Sequence, residues 1–584
     1  MDSSAPSHLE QRLTGHLQTL YPKLDASELA RKCLTTFNLD ANAEPPRPHK
    51  NLWDQSDIML ITYADTLRSE DASPLETLHK FIKTNLSESI SATHLLPFFP
   101  YSSDDGFSVM DYTTVNPSSG DWANVSAITE DFKVMGDLVI NHCSSRSMWF
   151  ENYKAGISPG KDYFYEADPH FDLSNVVRPR TSPLLREVQT KNGVKHVWCT
   201  FSHDQVDLNF ENPEVLLEFL RIIRLYLEKG IRWFRLDAVA FIWKTPGTNC
   251  INLPNTHEMI RLLRLMIEHW APDSVIITET NIPNRENLTY FGNANEAHLI
   301  YNFSLPPLLI NTLATGNCSH LKSWLMGMPP AQQGTTYLNF VASHDGIGLR
   351  PTEGLLSEWE IDTLISTMKK FGGKVSSRTT PEGEAKPYEI NISLWNALSG
   401  SVLHGPDQWQ FARFLCAAGV QMALEGVPAF YIHSLFGTEN DHERVKNTGH
   451  FRSINRHIWQ MDDLDHALNT NTHHKKVFEA MSRLMKIRRA QAAFHPNATQ
   501  YVLHMGDELF AFWRQSIDRR QSLFAIYNIS DQPKTFNLSE LNLIATEDWT
   551  DLVSDQRYED QMAQVTLMPY QFMWLANKTS RPKE

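Results

Sequence analysis

A chain of 584 residues with 41% hydrophobic and 21% charged residues has the balance of a folded globular protein and excludes a disordered or fibrous one. Its formal charge of −15, with no long basic block, disfavours nucleic acid and anionic membranes as partners, because the summed field repels them. Six widely spaced cysteines without a CxxC pair read as buried thiols of a reducing compartment, and the polar start, Met1 to Glu10, with no apolar run of about 20 residues, predicts a cytoplasmic location.

Residues 1–52 carry leucines at helical spacing (Leu9, Leu13, Leu17, Leu20, then Leu24, Leu29 and Leu34) and end in the proline-rich stretch Glu44 to His49, which predicts a helical extension. Ile58 to Tyr63 then reads as a strand buried on both faces, and Thr93 to Phe98 as a second; together with a third, Met135 to Ile140, they make residues 53–142 the first part of a repeating strand–helix unit. Residues 143–210 are too long for a plain loop and rich in aromatics, Pro and Gly, so a small inserted domain over the rim is expected. In residues 211–303 a helix from Pro213 to Lys229 precedes the strand Ile231 to Leu236, and a helix near 256–270 precedes Val275 to Thr278 and then Leu299 to Phe303. Residues 304–400 supply a seventh strand, Tyr337 to Ala342, with lid insertions, and residues 401–490 an eighth, Val427 to Ile432. Eight strands separated mostly by helices predict an α/β protein with a (β/α)8 TIM barrel. Past 490 the pattern changes to short strands, so residues 491–584 are expected to form a C-terminal β-sandwich-like domain. No GxGxxG or GxxxxGK[ST] motif supports a nucleotide site.

Polar residues cluster just past the strand ends, where barrel sites form. Asp237, in Arg235-Leu-Asp-Ala238, ends the fourth strand, and Glu279 follows the fifth. Neighbouring strands place these carboxylates across a narrow gap; at roughly 5–5.5 Å one can attack an anomeric carbon while the other protonates the leaving oxygen, with net retention. Arg235 projects the same way as Asp237 and would keep it ionised. The same spacing equally fits a rim salt bridge of Arg235 with Asp237 beside a merely solvated Glu279. His344 and Asp345 end the seventh strand and His142 follows the third; Asp105 in the run Phe98 to Phe107, and Arg456, add groups able to bind sugar hydroxyls.

The ordered segments Ile61-Thr-Tyr-Ala-Asp65, His94-Leu-Leu-Pro-Phe-Phe99, Asp104-Asp-Gly-Phe107, Asp137-Leu-Val-Ile-Asn-His142, Arg178-Pro-Arg180, Arg235-Leu-Asp-Ala-Val239, Ala342-Ser-His-Asp-Gly-Ile-Gly348 and Ile454-Asn-Arg-His457 resemble the α-amylase superfamily (glycoside hydrolase family 13), in the branch of sucrose phosphorylase and its relatives. The resemblance implies a retaining phosphorylase of the hexosyltransferase type, with Asp237 as nucleophile, Glu279 as acid/base and Asp345 as the third carboxylate. It implies that Asp105, His142, Phe201, His344 and Arg456 enclose the glucosyl unit, that Gln205 stands beside it, and that Asp105 and Arg456 close its far end. Arg180 is implied to meet phosphate, and Tyr388 with Glu389 to lie in a loop that rearranges between acceptor and phosphate. No cofactor or metal is implied. Expected partners are an α-glucoside and inorganic phosphate, with the chain a monomer or homodimer.

Two positions depart from the sucrose enzymes: Glu389 stands where they have glutamine, and Asn281 where they have histidine. Both lie at the acceptor side and resemble relatives acting on glucosylglycerol or glucosylglycerate. A negative Glu389 would repel a carboxylate, so the expected acceptor is glycerol, with glycerate or fructose as alternatives, unless Arg180 or Arg378 pairs with the acid.

Overall fold

The computed structural model describes residues 6–380, 384–541, 543 and 548–577. Among these, eight strands close into a barrel: β1 (Met59–Thr62), β2 (Ala92–Leu95), β3 (Lys133–Val139), β4 (Trp233–Asp237), β5 (Val275–Thr278), β6 (Leu299–Tyr301), β7 (Thr336–Asn339) and β8 (Val427–Tyr431). Each strand pairs in parallel with its chain neighbours, and β8 closes on β1 through Met59 beside Ala429. Every residue of β1, β4 and β5 is buried, which is why these segments read as unbroken apolar runs. Each large apolar side chain so buried contributes roughly 1.5–3 kcal/mol.

The helices around the barrel carry ordinary start signals. Pro213–Glu228 is capped by the Asn212 side chain, has Pro213 in its first turn, and buries Leu216, Phe219, Leu220, Ile223 and Leu227 along one face. The N-terminal extension forms two helices, His8–Leu20 and Ala26–Phe37. Its leucines at 9, 13, 17 and 20 are buried, whereas Leu24, in the turn between the helices, is 46% exposed. The extension docks on the outer barrel helices through Tyr21 on the Phe210 carbonyl (3.0 Å), His16 on Glu258 (2.8 Å) and Arg224 on the Thr36 carbonyl (2.9 Å).

Between β3 and β4 the chain makes the helix Met148–Ala155 and a hairpin of Leu185–Thr190 with Gly193–Trp198. After β7, Lys374–Thr379 pairs with Ala385–Asn391, and Ile347–Gly348 joins on the other edge of Ala385–Asn391. The lid insertion expected after the seventh strand therefore contains a hairpin; residues 381–383 between its strands lie outside those described.

Toward the C-terminus a six-stranded sheet alternates its faces. Phe510, Phe512, Ala525 and Trp574 join the main core, while Leu509, Ala511, Phe524 and Ile526 meet Phe536 and Val565 of a two-stranded sheet. All six cysteines are free and buried, and no helix among the described residues is long and apolar enough to cross a membrane.

Candidate active site

β4 and β5 run in register with Leu236 beside Thr278, so Asp237 and Glu279, each one residue further on, emerge side by side at the C-terminal rim. Arg235 lies two residues before Asp237 and is 2% exposed. Its Nη1 donates to Asp137 (2.5 Å) and to Asp237 Oδ1 (2.6 Å), and its Nη2 stands 3.9 Å from Glu279. Asp137 belongs to β3 and also bonds His94 Nε2 at 2.7 Å, so a buried chain of polar groups anchors Asp237 from below. Ala238 follows at φ 51, in the left-handed region that costs a non-glycine residue about 1–3 kcal/mol, and its N–H donates to Glu279 Oε2 at 3.0 Å. That backbone bond ties the second carboxyl to the turn that ends at the first.

Burial raises both members of the Asp237 and Glu279 pair, and the neighbouring carboxylates raise Asp237 further against the opposing pull of Arg235. Two such acids share a proton. Arg235 touches Asp237 but stands off from Glu279, so the geometry favours the proton on Glu279.

Asp345 faces this pair. Burial pushes its carboxyl up, but the Arg452 guanidinium at 2.5 Å, with His344 and further arginines behind it, holds it well below the usual carboxylate range. The same Arg452 grips Glu389 with two parallel bonds, Nε to Oε1 at 3.0 Å and Nη2 to Oε2 at 2.7 Å. Glu389 is 1% exposed and does not line the cavity, so its charge is neutralised behind the wall. The expectation that Glu389 presents a repelling charge to the acceptor is thereby corrected: its guanidinium partner comes from 63 residues away.

One cavity brings together Asp237, Glu279, Asp345, His142, Phe201, Gln205, His344, Arg180 and Tyr388. Burial lowers the pKa of His142 and His344 and keeps both rings neutral, able to donate and accept. His344 stacks on Phe107 (centroids 5.1 Å apart, 5° between planes), and His142 Nε2 meets the Phe107 carbonyl at 3.0 Å. Arg235 supports Asp237 from behind the lining, and Arg456 bonds Asp105 at 2.7 Å and the His344 carbonyl at 2.9 Å.

Asp105 is not on the wall; Asp104 is. Both residues have left-handed backbones (φ 55 and 45), so two adjacent carboxylates leave the turn in different directions, and Asp105 lines a neighbouring cavity with Arg456 and Arg444. The turn is held by Asp204, whose carboxylate accepts from Ser102 and Ser103 (2.5 Å each), Ser108 (3.0 Å) and Ser145 (2.8 Å). Gly106 at φ 110 lets it close, since a Cβ there would stand 2.6 Å from the Pro97 carbonyl oxygen.

Sequence reasoning also passed over Arg350 and Arg452, both on the cavity wall. Arg452 lies four residues before Arg456, a spacing that could have flagged it. Arg180 sits over the rings of Phe201 (5.7 Å) and Tyr388 (5.4 Å) with no carboxylate bonded to it among the described residues, and Asn281 Nδ2 donates to the Tyr388 hydroxyl at 3.4 Å. Arg378 does not reach the cavity and pairs with Glu353 at 3.3 Å. Beside the site, the Lys244 ammonium binds Asn141 Oδ1 (2.9 Å) and Asp207 Oδ2 (2.8 Å); among the described residues no cluster of His, Cys, Asp and Glu could hold a metal ion.

Residues 86–346 match the model of the α-amylase catalytic domain. The chain is 40% identical over 531 residues to a glucosylglycerate phosphorylase of Spirochaeta thermophila, covering 89% of this chain and 90% of that one. It is 28% identical over 451 residues to a glucosylglycerol phosphorylase of Marinobacter adhaerens, covering 75% and 88%. Among solved structures, the sucrose 6F-phosphate phosphorylase of Thermoanaerobacter thermosaccharolyticum superposes with a TM-score of 0.71 at 23% identity over 81% of this chain and 94% of that one, a likeness of fold. The chain belongs to the α-amylase superfamily, glycoside hydrolase family 13, and is an enzyme of its branch of retaining phosphorylases that act on an α-glucoside with phosphate.

Proposed function

We propose that the α-glucoside is glucosylglycerate and that the reaction is its reversible phosphorolysis to α-glucose 1-phosphate and glycerate. The observation that carries this reading is the charge of the acceptor side. Glu389 is locked to Arg452 behind the wall, and Arg180 and Arg350 face the cavity without a carboxylate in short contact. The case for a neutral polyol rested on a free Glu389 charge and loses its basis. The greater identity to the glucosylglycerate enzyme, 40% against 28%, supports the same reading.

In this reading an Asp237 oxygen attacks the anomeric carbon as the bond to the glycerate oxygen breaks, and Glu279 gives that oxygen its proton. The β-glucosyl ester on Asp237 is then attacked from the vacated face by a phosphate oxygen. Glu279 takes the phosphate's proton, Asp237 leaves as carboxylate, and the product keeps the α configuration. Asp345, held ionised by Arg452, stabilises the positive charge that develops on the glucosyl ring. Asp104, His142 and His344 hold ring hydroxyls.

The test is phosphate-dependent release of α-glucose 1-phosphate from glucosylglycerate and from glucosylglycerol. A kcat/KM at least roughly tenfold higher for the glycerate glucoside is expected, the value of about 1.4 kcal/mol of differential binding. A higher value for the glycerol glucoside, or release of free glucose without phosphate at a comparable rate, contradicts the proposal.

A further inference from the structure

We infer that Arg350 is the specificity-determining residue for the acceptor: its guanidinium takes the carboxylate of the leaving hydroxy acid, while Arg180 serves phosphate. This rests on the glucosylglycerate reading and assigns one of its contacts to one side chain.

Arg350 begins a tight turn, Arg350–Thr352, five residues after Asp345. The turn is fixed on all sides. Ile347 and Gly348 pair with Ile390 and Glu389, the Leu349 N–H donates to the Tyr388 carbonyl (3.0 Å), Thr352 Oγ1 donates to the Leu349 carbonyl (2.6 Å), and Ser304 Oγ donates to the Pro351 carbonyl (3.0 Å). From this rigid base the side chain, 13% exposed, lines the same cavity as Asp237 and Glu279.

Among the described residues no carboxylate holds it closely. Nε is buried with no hydrogen-bond partner, and the carboxylate facing it, Glu353, stands 3.9 Å away, is 47% exposed and lies closer, at 3.3 Å, to Arg378. Arg235 and Arg452 differ, each holding two carboxylates at 2.5–2.7 Å. A half-enclosed guanidinium left open is costly unless an anion completes it, and its planar fork offers two parallel N–H groups to a carboxylate.

The two open arginines also differ in place. Arg180 lies between the Tyr388 ring (5.4 Å) on the acceptor side and Phe201 (5.7 Å), whose ring centroid is 5.2 Å from that of His142, so it is the acceptor-end arginine that also touches the wall of the glucosyl end. Arg350 is linked through Glu353 to Arg378 on the outer hairpin. An attacking phosphate must bring its own oxygen to the anomeric carbon, whereas the glycerate carboxylate sits one carbon beyond the carbon that bears the glycosidic oxygen. The inner arginine therefore suits phosphate and the outer one the carboxylate.

Arg350→Gln and Arg350→Lys test this in synthesis, with α-glucose 1-phosphate as donor and glycerate or glycerol as acceptor, and in phosphorolysis with phosphate titrated. Arg350→Gln is expected to raise the glycerate KM roughly 10- to 100-fold and the phosphate KM by less than about threefold, with Arg350→Lys intermediate for glycerate. If Arg350→Gln does not fold, the glycerate-to-phosphate contrast in Arg350→Lys decides. Equal rises for glycerate and phosphate, or a glycerate KM that stays put, overturn the assignment alone. If the unsubstituted enzyme prefers glycerol, the glucosylglycerate reading falls and the assignment falls with it.

Discussion

The two ends of the cavity are built on opposite electrostatic plans. At the glucosyl end the charges are paired inside the protein, Arg235 with Asp137 and Asp237, Arg456 with Asp105, and the two histidines beside them are neutral. At the acceptor end Arg180 and Arg350 stand open, and the acid that might have answered them, Glu389, is held by Arg452. A neutral sugar needs hydrogen bonds in fixed places, which a satisfied network supplies without rearrangement. Two anions that alternate in one space need cations that nothing else occupies. Arg452 joins the two plans, since one guanidinium both holds Asp345 ionised and removes the Glu389 charge.

The glucosyl end breaks most completely at its nucleophile. Asp237→Asn is expected to lower kcat by at least roughly 10⁴-fold while thermal melting shows a folded protein, because Arg235 keeps its 2.5 Å bond to Asp137. Activity on glucosylglycerate within tenfold of the parent would remove Asp237 from the role proposed for it.

Arg452→Met separates the joint from both ends. It leaves the buried Glu389 charge unpaired, at a cost of about 3–5 kcal/mol, and the double variant Arg452→Met/Glu389→Gln should recover at least half of that in denaturant melts. The sign with pH follows from Asp345. Its depressed folded value contributes stability above an unfolded value of about 3.9, lost as pH falls through the folded value. Without Arg452 the Asp345 pKa rises, so the acid limb of kcat/KM moves to higher pH in both variants. An unmoved acid limb would show that Arg452 does not set the charge of Asp345.

The acceptor end yields a smaller and more selective effect. Arg180→Ala removes a cation whose neighbours among the described residues are the Pro179 carbonyl and two aromatic rings, with no carboxylate, so stability should change little while the phosphate KM rises roughly 10- to 100-fold. Steady-state kinetics with phosphate titrated at saturating glucoside checks this, and an unchanged phosphate KM would assign Arg180 to the wall alone.

The barrel was legible because strands buried on both faces leave unbroken apolar runs, and the carboxylates at their ends stood out against them. What sequence hid was pairing at a distance. Asp104 and Asp105 are neighbours of one type, and only the two left-handed backbones decide which faces the cavity. Glu389 read as a free charge because its partner, Arg452, is remote in the chain, and Arg350 drew no notice because its meaning is the lack of a close partner. The hairpin Lys374–Thr379 with Ala385–Asn391 did not stand out within the expected lid insertion, since its first strand, Lys-Val-Ser-Ser-Arg-Thr, is mostly polar and is held by pairing instead of by a run of apolar side chains.

The most direct measurement is a crystal structure of the Asp237→Asn enzyme with glucosylglycerate bound. The glucosyl ring should lie between Asp104, His142 and His344 with its anomeric carbon toward position 237, and the glycerate carboxylate should lie within about 3 Å of the Arg350 guanidinium. A carboxylate turned to solvent, or seated away from both Arg350 and Arg180, would contradict the division of the cavity into a paired sugar end and an open cationic acceptor end.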